Sequence, residues 1–162
     1  RAVEVRMNAP DCGVAAEWAE ADVVPIDITV SGADTGVLGL EVSLAVVGED
    51  FRITDVAFDP AFARVVGKNE PTLPGNRFRA VRTQPPDAID PALGANGQAV
   101  PFATVYLEIV SPHAFHDQLI IEARGFLVGA ARPAAAYPPS DCFAEYRPAR
   151  IPTPSRCANT DG

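Results

Sequence analysis

Two histidines stand three residues apart in Ser111-Pro112-His113-Ala114-Phe115-His116-Asp117, with a carboxylate directly after the second. His and Asp are metal-ligating types, but Pro112 makes the segment a turn, and i, i+3 side chains align only on a helix. No further His or Cys cluster supports a site, so the expected metal set is none. The loop carboxylates Asp34, Glu49, Asp50, Asp55 and Asp59 are the residue type that calcium needs. The Asp-x-Asp-x-Asp-Gly run that would gather six to eight oxygens is missing, so these residues read as a solvated acidic surface. Nucleophilic chemistry has no visible signal: there is no Gly-x-Ser-x-Gly elbow and no His-Glu-x-x-His. Gly94-Ala95-Asn96-Gly97 lacks the Lys-Ser/Thr that completes a phosphate-cradling loop. A glycosidase needs two carboxylates that meet in space, and the sequence marks neither. No catalytic residue is assigned.

Binding residues are easier to nominate. Arg77, Arg79 and Arg82 form the one basic cluster of an acidic chain, with two of them expected on one strand face. They read as a docking patch for an acidic neighbour, another copy of the chain included, or as surface groups paired with nearby carboxylates. Trp18 and Tyr106 could stack against a sugar ring. Tyr137 and Tyr146 lie in the C-terminal tail, where amphipathic rings suit either a partner or local packing. Cys12, Cys142 and Cys157 allow one pair and one leftover thiol. Cys142–Cys157 is the expected disulfide, because both lie in a Pro-rich segment without a core, where a loop staple contributes ~3 kcal/mol. A disulfide would place the chain in an oxidising compartment.

The elements that must position these groups are strands. Large apolar residues at Val24, Ile26, Ile28 and Val30 alternate with Pro25, Asp27 and Thr29. Side chains of a strand point to opposite faces in turn, so one face is oily and the other wet. The same period recurs at Leu40, Val42, Leu44 and Val46, and at Ala103, Val105, Leu107 and Ile109. Val3, Val5 and Met7 suggest a first strand. Residues 14–21 suit a helical turn or a loop carrying Trp18. Strands are expected over 23–30, 37–47, from Phe51, around Phe78 and Ala80, over 102–110, and last over 119–128. The apolar register slips between Ile53 and Val56, which predicts a bulge near Thr54-Asp55. Gly125 predicts a kink or bulge in the last strand. Residues 84–101 hold four prolines and two glycines and read as a long loop.

Seven or eight strands, short turns and no sustained helix predict an all-β antiparallel β-sandwich of jelly-roll type over residues 1–132. Residues 133–162 form a Pro-rich C-terminal extension, expected to be stapled by its disulfide and to reach a neighbouring chain. The 162 residues suffice for one well-buried domain. A net charge of −8 weighs against nucleic acid and against a polybasic membrane anchor. No apolar run is long enough to span a bilayer as a helix. Arg1 in place of Met is what a processed mature chain, or a trimmed one, shows.

Three segments carry a family resemblance. Asp22-Val23-Val24-Pro25-Ile26-Asp27-Ile28 looks like the early cohesin strand that enters through a Val-Pro step. Gly39 to Val46, followed by Phe51-Arg52-Ile53-Thr54-Asp55-Val56, resembles the paired central strands. Phe102-Ala103-Thr104-Val105-Tyr106-Leu107-Glu108-Ile109 resembles the late strand that leads into the final one. The resemblance, to cohesins and related carbohydrate-binding sandwiches, covers about residues 1–132. Where cohesins usually carry a Tyr-Asp-Pro-like corner, this chain has Val46-Val47-Gly48-Glu49-Asp50, so no binding residue is carried over. The resemblance implies a non-enzymatic interaction domain, secreted or at the cell surface (periplasm included). Its partner would be a protein, as copies of itself or within a larger extracellular assembly. The alternatives are a carbohydrate-binding module, with polysaccharide as ligand, and, behind it, a glycoside hydrolase. No cofactor is expected, with calcium the one candidate.

Overall fold

The computed structural model describes residues 3–8, 19–66, 72–111, 118–128 and, by backbone alone, 144–147. Among the described residues nine strands run in chain order: β1 Val3–Asn8, β2 Val23–Ser31, β3 Val37–Val47, β4 Phe51–Phe58, β5 Arg64–Val65, β6 Arg77–Thr83, β7 Val100–Ile109, β8 Gln118–Leu127 and β9 Ala144–Arg147. They form two sheets. One has the order β4-β7-β2-β1-β9 and the other β5-β6-β3-β8. All pairings are antiparallel except β1–β9, which is parallel. The architecture is the expected jelly-roll type of antiparallel sandwich.

The period-two pattern explains why the sheets stack. Val24, Ile26, Ile28 and Val30 are almost wholly buried, and Leu40, Val42, Leu44 and Val46 face them from the other sheet. Ile53, Val105, Leu107, Ile109, Leu119 and Ile121 complete a single core. A full burial of each such side chain contributes about 1.5–3 kcal/mol. One end is closed by aromatic rings. Phe58 meets Phe102 edge-on at 5.6 Å, and Phe102 lies 5.1 Å from Phe62. Phe62 is delivered by a single 3₁₀ turn, Pro60–Phe62, whose start is capped by Asp59 accepting from the Ala61 amide at 3.0 Å.

Several expectations change in detail. β3 and β4 are not paired: the Gly48–Asp50 turn carries the chain from one sheet to the other, so β4 lies on β7. The bulge expected near Thr54 is present, as a register shift against β7 between Ile53 and Asp55. Gly125 is not a bulge. The irregularity lies beside it, where β3 shifts between Val37 and Gly39 against Leu127 and Phe126. Gly125 is instead a point of close approach, because a Cβ there would sit 2.5–2.6 Å from three side-chain carbons of Val3. That contact draws β8 of one sheet against β1 of the other. β8 is also not the final strand, since β9 follows within the tail and extends the sheet beyond β1. Four residues in parallel pairing carry too little pattern to be seen against six prolines.

The long loop is shorter than expected, because β7 already begins at Val100. It is fixed by Gln84, the one buried polar side chain among the described residues. Its Nε2 donates to the carbonyls of Val37 (2.8 Å) and Asp90 (3.0 Å), while its Oε1 accepts from the Asp90 amide at 2.6 Å. The Gly36 and Val37 amides then donate to the carbonyls of Pro91 and Leu93. Every polar group of this buried amide is satisfied, which is the condition for burying it.

Candidate interaction face

A two-sheet sandwich offers two outer faces. On the five-stranded sheet, register places Glu4, Arg6, Asn8, Asp27, Arg52, Asp55, Tyr106 and Glu108 outward. Most of these groups already have partners. Arg52 pairs with Glu108 at 2.8 Å, Arg6 with Glu4, and Asp27 accepts from the Thr104 hydroxyl at 2.9 Å. The Asp55 carboxylate accepts from the Val56 amide at 2.9 Å. Tyr106 stands between Pro25 and Asp55 as the one aromatic of this face among the described side chains. Flat sugar platforms use several aligned rings.

The four-stranded sheet differs in shape. Its middle strand β3 turns small residues outward, Ser43 and Ala45. The flanking strands turn out long ones: Arg79 and Arg77 from β6, Glu122 and Ile120 from β8. Small centres between tall walls make a trough, an open hollow of about 270 Å³ lined by these six side chains with Leu44 and Phe78 beneath them. The walls stand two strand spacings apart, roughly 10 Å. The wall side chains take up part of that span, so a helix ~10–12 Å across would rest on the rims and lower one row of side chains into the trough.

Charge is distributed unequally along the walls. Arg79 reaches Glu41 at 2.5 Å, so its charge is met within the sheet. The side chains of Arg77 and Glu122 make no hydrogen bond or ion pair among the described residues, and both are exposed. Arg82 has the opposite parity. Its guanidinium lies 4.1 Å from the centre of the Phe58 ring, a cation–π contact at the aromatic end of the core. The three arginines are therefore divided between an outer trough and an inner stacking role, which the sequence spacing of 77, 79 and 82 already implies.

The remaining nominated residues fall elsewhere. Trp18, Tyr137, Cys12, Cys142, Cys157, His113 and His116 lie outside the described residues, and of Tyr146 only its backbone position in β9, opposite Val5, is described. Among the described residues no group of three or more His, Cys, Asp or Glu side chains gathers to hold a metal ion. No described carboxylate is buried, the usual device for raising a catalytic acid. The feature that sequence reasoning missed is the trough itself. Ser43 and Ala45 are small outward residues of β3, and their size matters only once the longer residues of β6 and β8 stand beside them.

No protein-family model matches this chain, and no curated protein matches it. Solved structures do. CaCohA2 of Clostridium acetobutylicum, in complex with a variant of CaDoc0917, superposes with a TM-score of 0.63 at 13% identity, covering 93% of this chain and 99% of that one. The sixth cohesin of scaffoldin B from Acetivibrio cellulolyticus, in complex with a Cel5 dockerin mutant, gives 0.62 at 8% identity, covering 94% and 99%. A non-cellulosomal cohesin from the archaeon Archaeoglobus fulgidus gives 0.56 at 10% identity, covering 99% and 98%. The fold of the described residues is cohesin-like.

Proposed function

We propose that this chain is a non-catalytic interaction module that docks a folded protein partner on the outer face of the β5-β6-β3-β8 sheet. The trough along β3 carries the reading. It is open, lined by both apolar and charged groups, and set along β3 between two flanking strands. Three of the superposable cohesins are seen in complex with dockerins, so a dockerin-like module is the partner class to try first. We further place its work outside the cell, as one subunit of a larger assembly. The tail, with the Cys142–Cys157 staple, belongs to that proposal as the element that further strengthens assembly.

The test is capture of a panel of recombinant dockerins by the immobilised chain, followed by Ser43→Trp. An indole at the trough centre fills the space without touching the core, so folding is kept within about 0.5 kcal/mol. Binding should fall by at least tenfold. Undiminished binding by S43W would show that the trough is not the docking surface. Cell fractionation tests the setting, and a cytoplasmic protein with reduced cysteines would refute it.

A further inference from the structure

The outer face of the four-stranded sheet is positively charged on a chain whose net charge is −8. Register puts four arginines on it, Arg64, Arg77, Arg79 and Arg124, against two glutamates, Glu41 and Glu122. Arg64 faces outward beside Thr83 at the β5 edge, and Arg124 lies opposite Glu41 on β8. The one ion pair among these six is Arg79–Glu41. Arg64, Arg77 and Arg124 are all exposed and make no such contact among the described residues, as is true of Glu122. Among the described side chains the opposite sheet has the reverse balance: Glu4, Asp27, Asp55 and Glu108 against Arg6 and Arg52.

Resting on the docking reading above, we infer that the partner presents an acidic ridge to this trough, with carboxylates toward the Arg77 wall. Two physical points select this occupant. A trough is filled by something convex, so two copies cannot satisfy each other trough to trough. The acidic face of a second copy is a poor substitute, because most of its carboxylates are already held by Arg6, Arg52, the Thr104 hydroxyl and the Val56 amide. An external acidic ridge along the β6 wall instead meets Arg77, which forms no ion pair among the described residues, and the exposed Arg79 beside it, while Arg64 and Arg124 add positive charge farther out on the same face. Complementary charge of this kind steers encounter and sets orientation more than it adds raw affinity. Glu122, on the far wall, makes the trough polar across its width and favours a partner whose carboxylates lie on one side.

The experiment is an amide-resolved NMR titration of the full chain with two synthetic helical peptides. They are equal in length and apolar face and differ in carrying glutamates or lysines beside that face. The glutamate peptide should shift the amides of Ser43, Ala45, Arg77, Arg79, Ile120 and Glu122, and added salt should weaken it. The lysine peptide should leave them in place. Arg77→Glu combined with Arg79→Glu should lower the glutamate peptide's affinity by roughly tenfold or more, since like charges then face each other. Both arginines are exposed, and a dispersed spectrum verifies that the variant is folded. Equal shifts from both peptides, or shifts confined to the five-stranded face, overturn the acidic preference. So does the absence of any shift. None of these results touches the docking reading, which S43W and the dockerin panel decide separately. A mass that rises with concentration, with both outer faces broadened, would overturn the inference in favour of stacking between copies.

Discussion

Replacing Gly125 with alanine should destabilise the sandwich by about 2 kcal/mol, through a single seam between the sheets. An ideal Cβ at Gly125 lies 2.5 Å from Cγ2, 2.6 Å from Cβ and 2.6 Å from Cγ1 of Val3. Carbon atoms in favourable contact stand about 3.5–4.0 Å apart, so the overlap is roughly 1 Å. Val3 is fully buried, and rotating its χ1 moves the two methyls but leaves its Cβ in place. The backbone of β1 or β8 must therefore give way. Overpacking of this kind costs about 1–3 kcal/mol. In a chain of this size about 2 kcal/mol corresponds to a fall in Tm of roughly 4–8 °C. The geometry also predicts which second change rescues the variant. Val3→Ala keeps the offending Cβ and should restore little. Val3→Gly removes it, so G125A should cost much less in a V3G background than in the parent. Urea unfolding of the four variants of each cycle gives the coupling energy, expected to exceed about 1 kcal/mol for V3G and to be small for V3A. If G125A is as stable as the parent, or costs the same in both backgrounds, the β1–β8 seam is not as close as described.

Gln84→Leu should cost about 2–4 kcal/mol, because the buried Val37 carbonyl and the Asp90 amide lose their partner. Hydrogen exchange at Gly36 and Val37, whose amides bond the same loop, should accelerate. Unchanged protection would place the loop's anchor elsewhere. Phe102→Ala should be the more damaging change, about 3–5 kcal/mol by chemical denaturation, since its fully buried ring touches both Phe58 and Phe62. A loss under about 1 kcal/mol would mean that the aromatic end does not pack as a unit. Arg79→Ala should change stability by less than about 1 kcal/mol, as its bond to Glu41 is exposed. A larger loss would make the pair structural and leave less of it for docking.

The sandwich was legible because burial on one face imposes a period of two. Val24 to Val30, Leu40 to Val46 and Val105 to Ile109 declare both their strands and their buried sides. The slip between Ile53 and Val56 was legible for the same reason, as a break in that period. Which strands pair was not legible. β3 and β4 are joined by a tight turn, yet one crosses to the other sheet, and nothing local distinguishes that from a hairpin. Gly125 was visible as an anomaly, but its cause lies in Val3, near the opposite end of the described chain. β9 was hidden because Ala144–Arg147 is short and sits at an edge, where a backbone ladder forms without an apolar stripe. The trough was half legible. Arg77 and Arg79 stood out by charge, whereas Ser43 and Ala45 matter for being small, and a small outward residue gives no signal until its neighbours are placed beside it.

The central claim is that the β5-β6-β3-β8 face, and not the opposite one, receives the partner. Binding of the dockerin panel to three immobilised chains tests it most directly: the parent, S43W at the trough, and A57W on the exposed outer side of β4. The account predicts that a dockerin captured by the parent is retained by A57W and lost, by at least tenfold in affinity, by S43W. Loss with A57W and retention with S43W, or no capture of any dockerin by the parent, would contradict it.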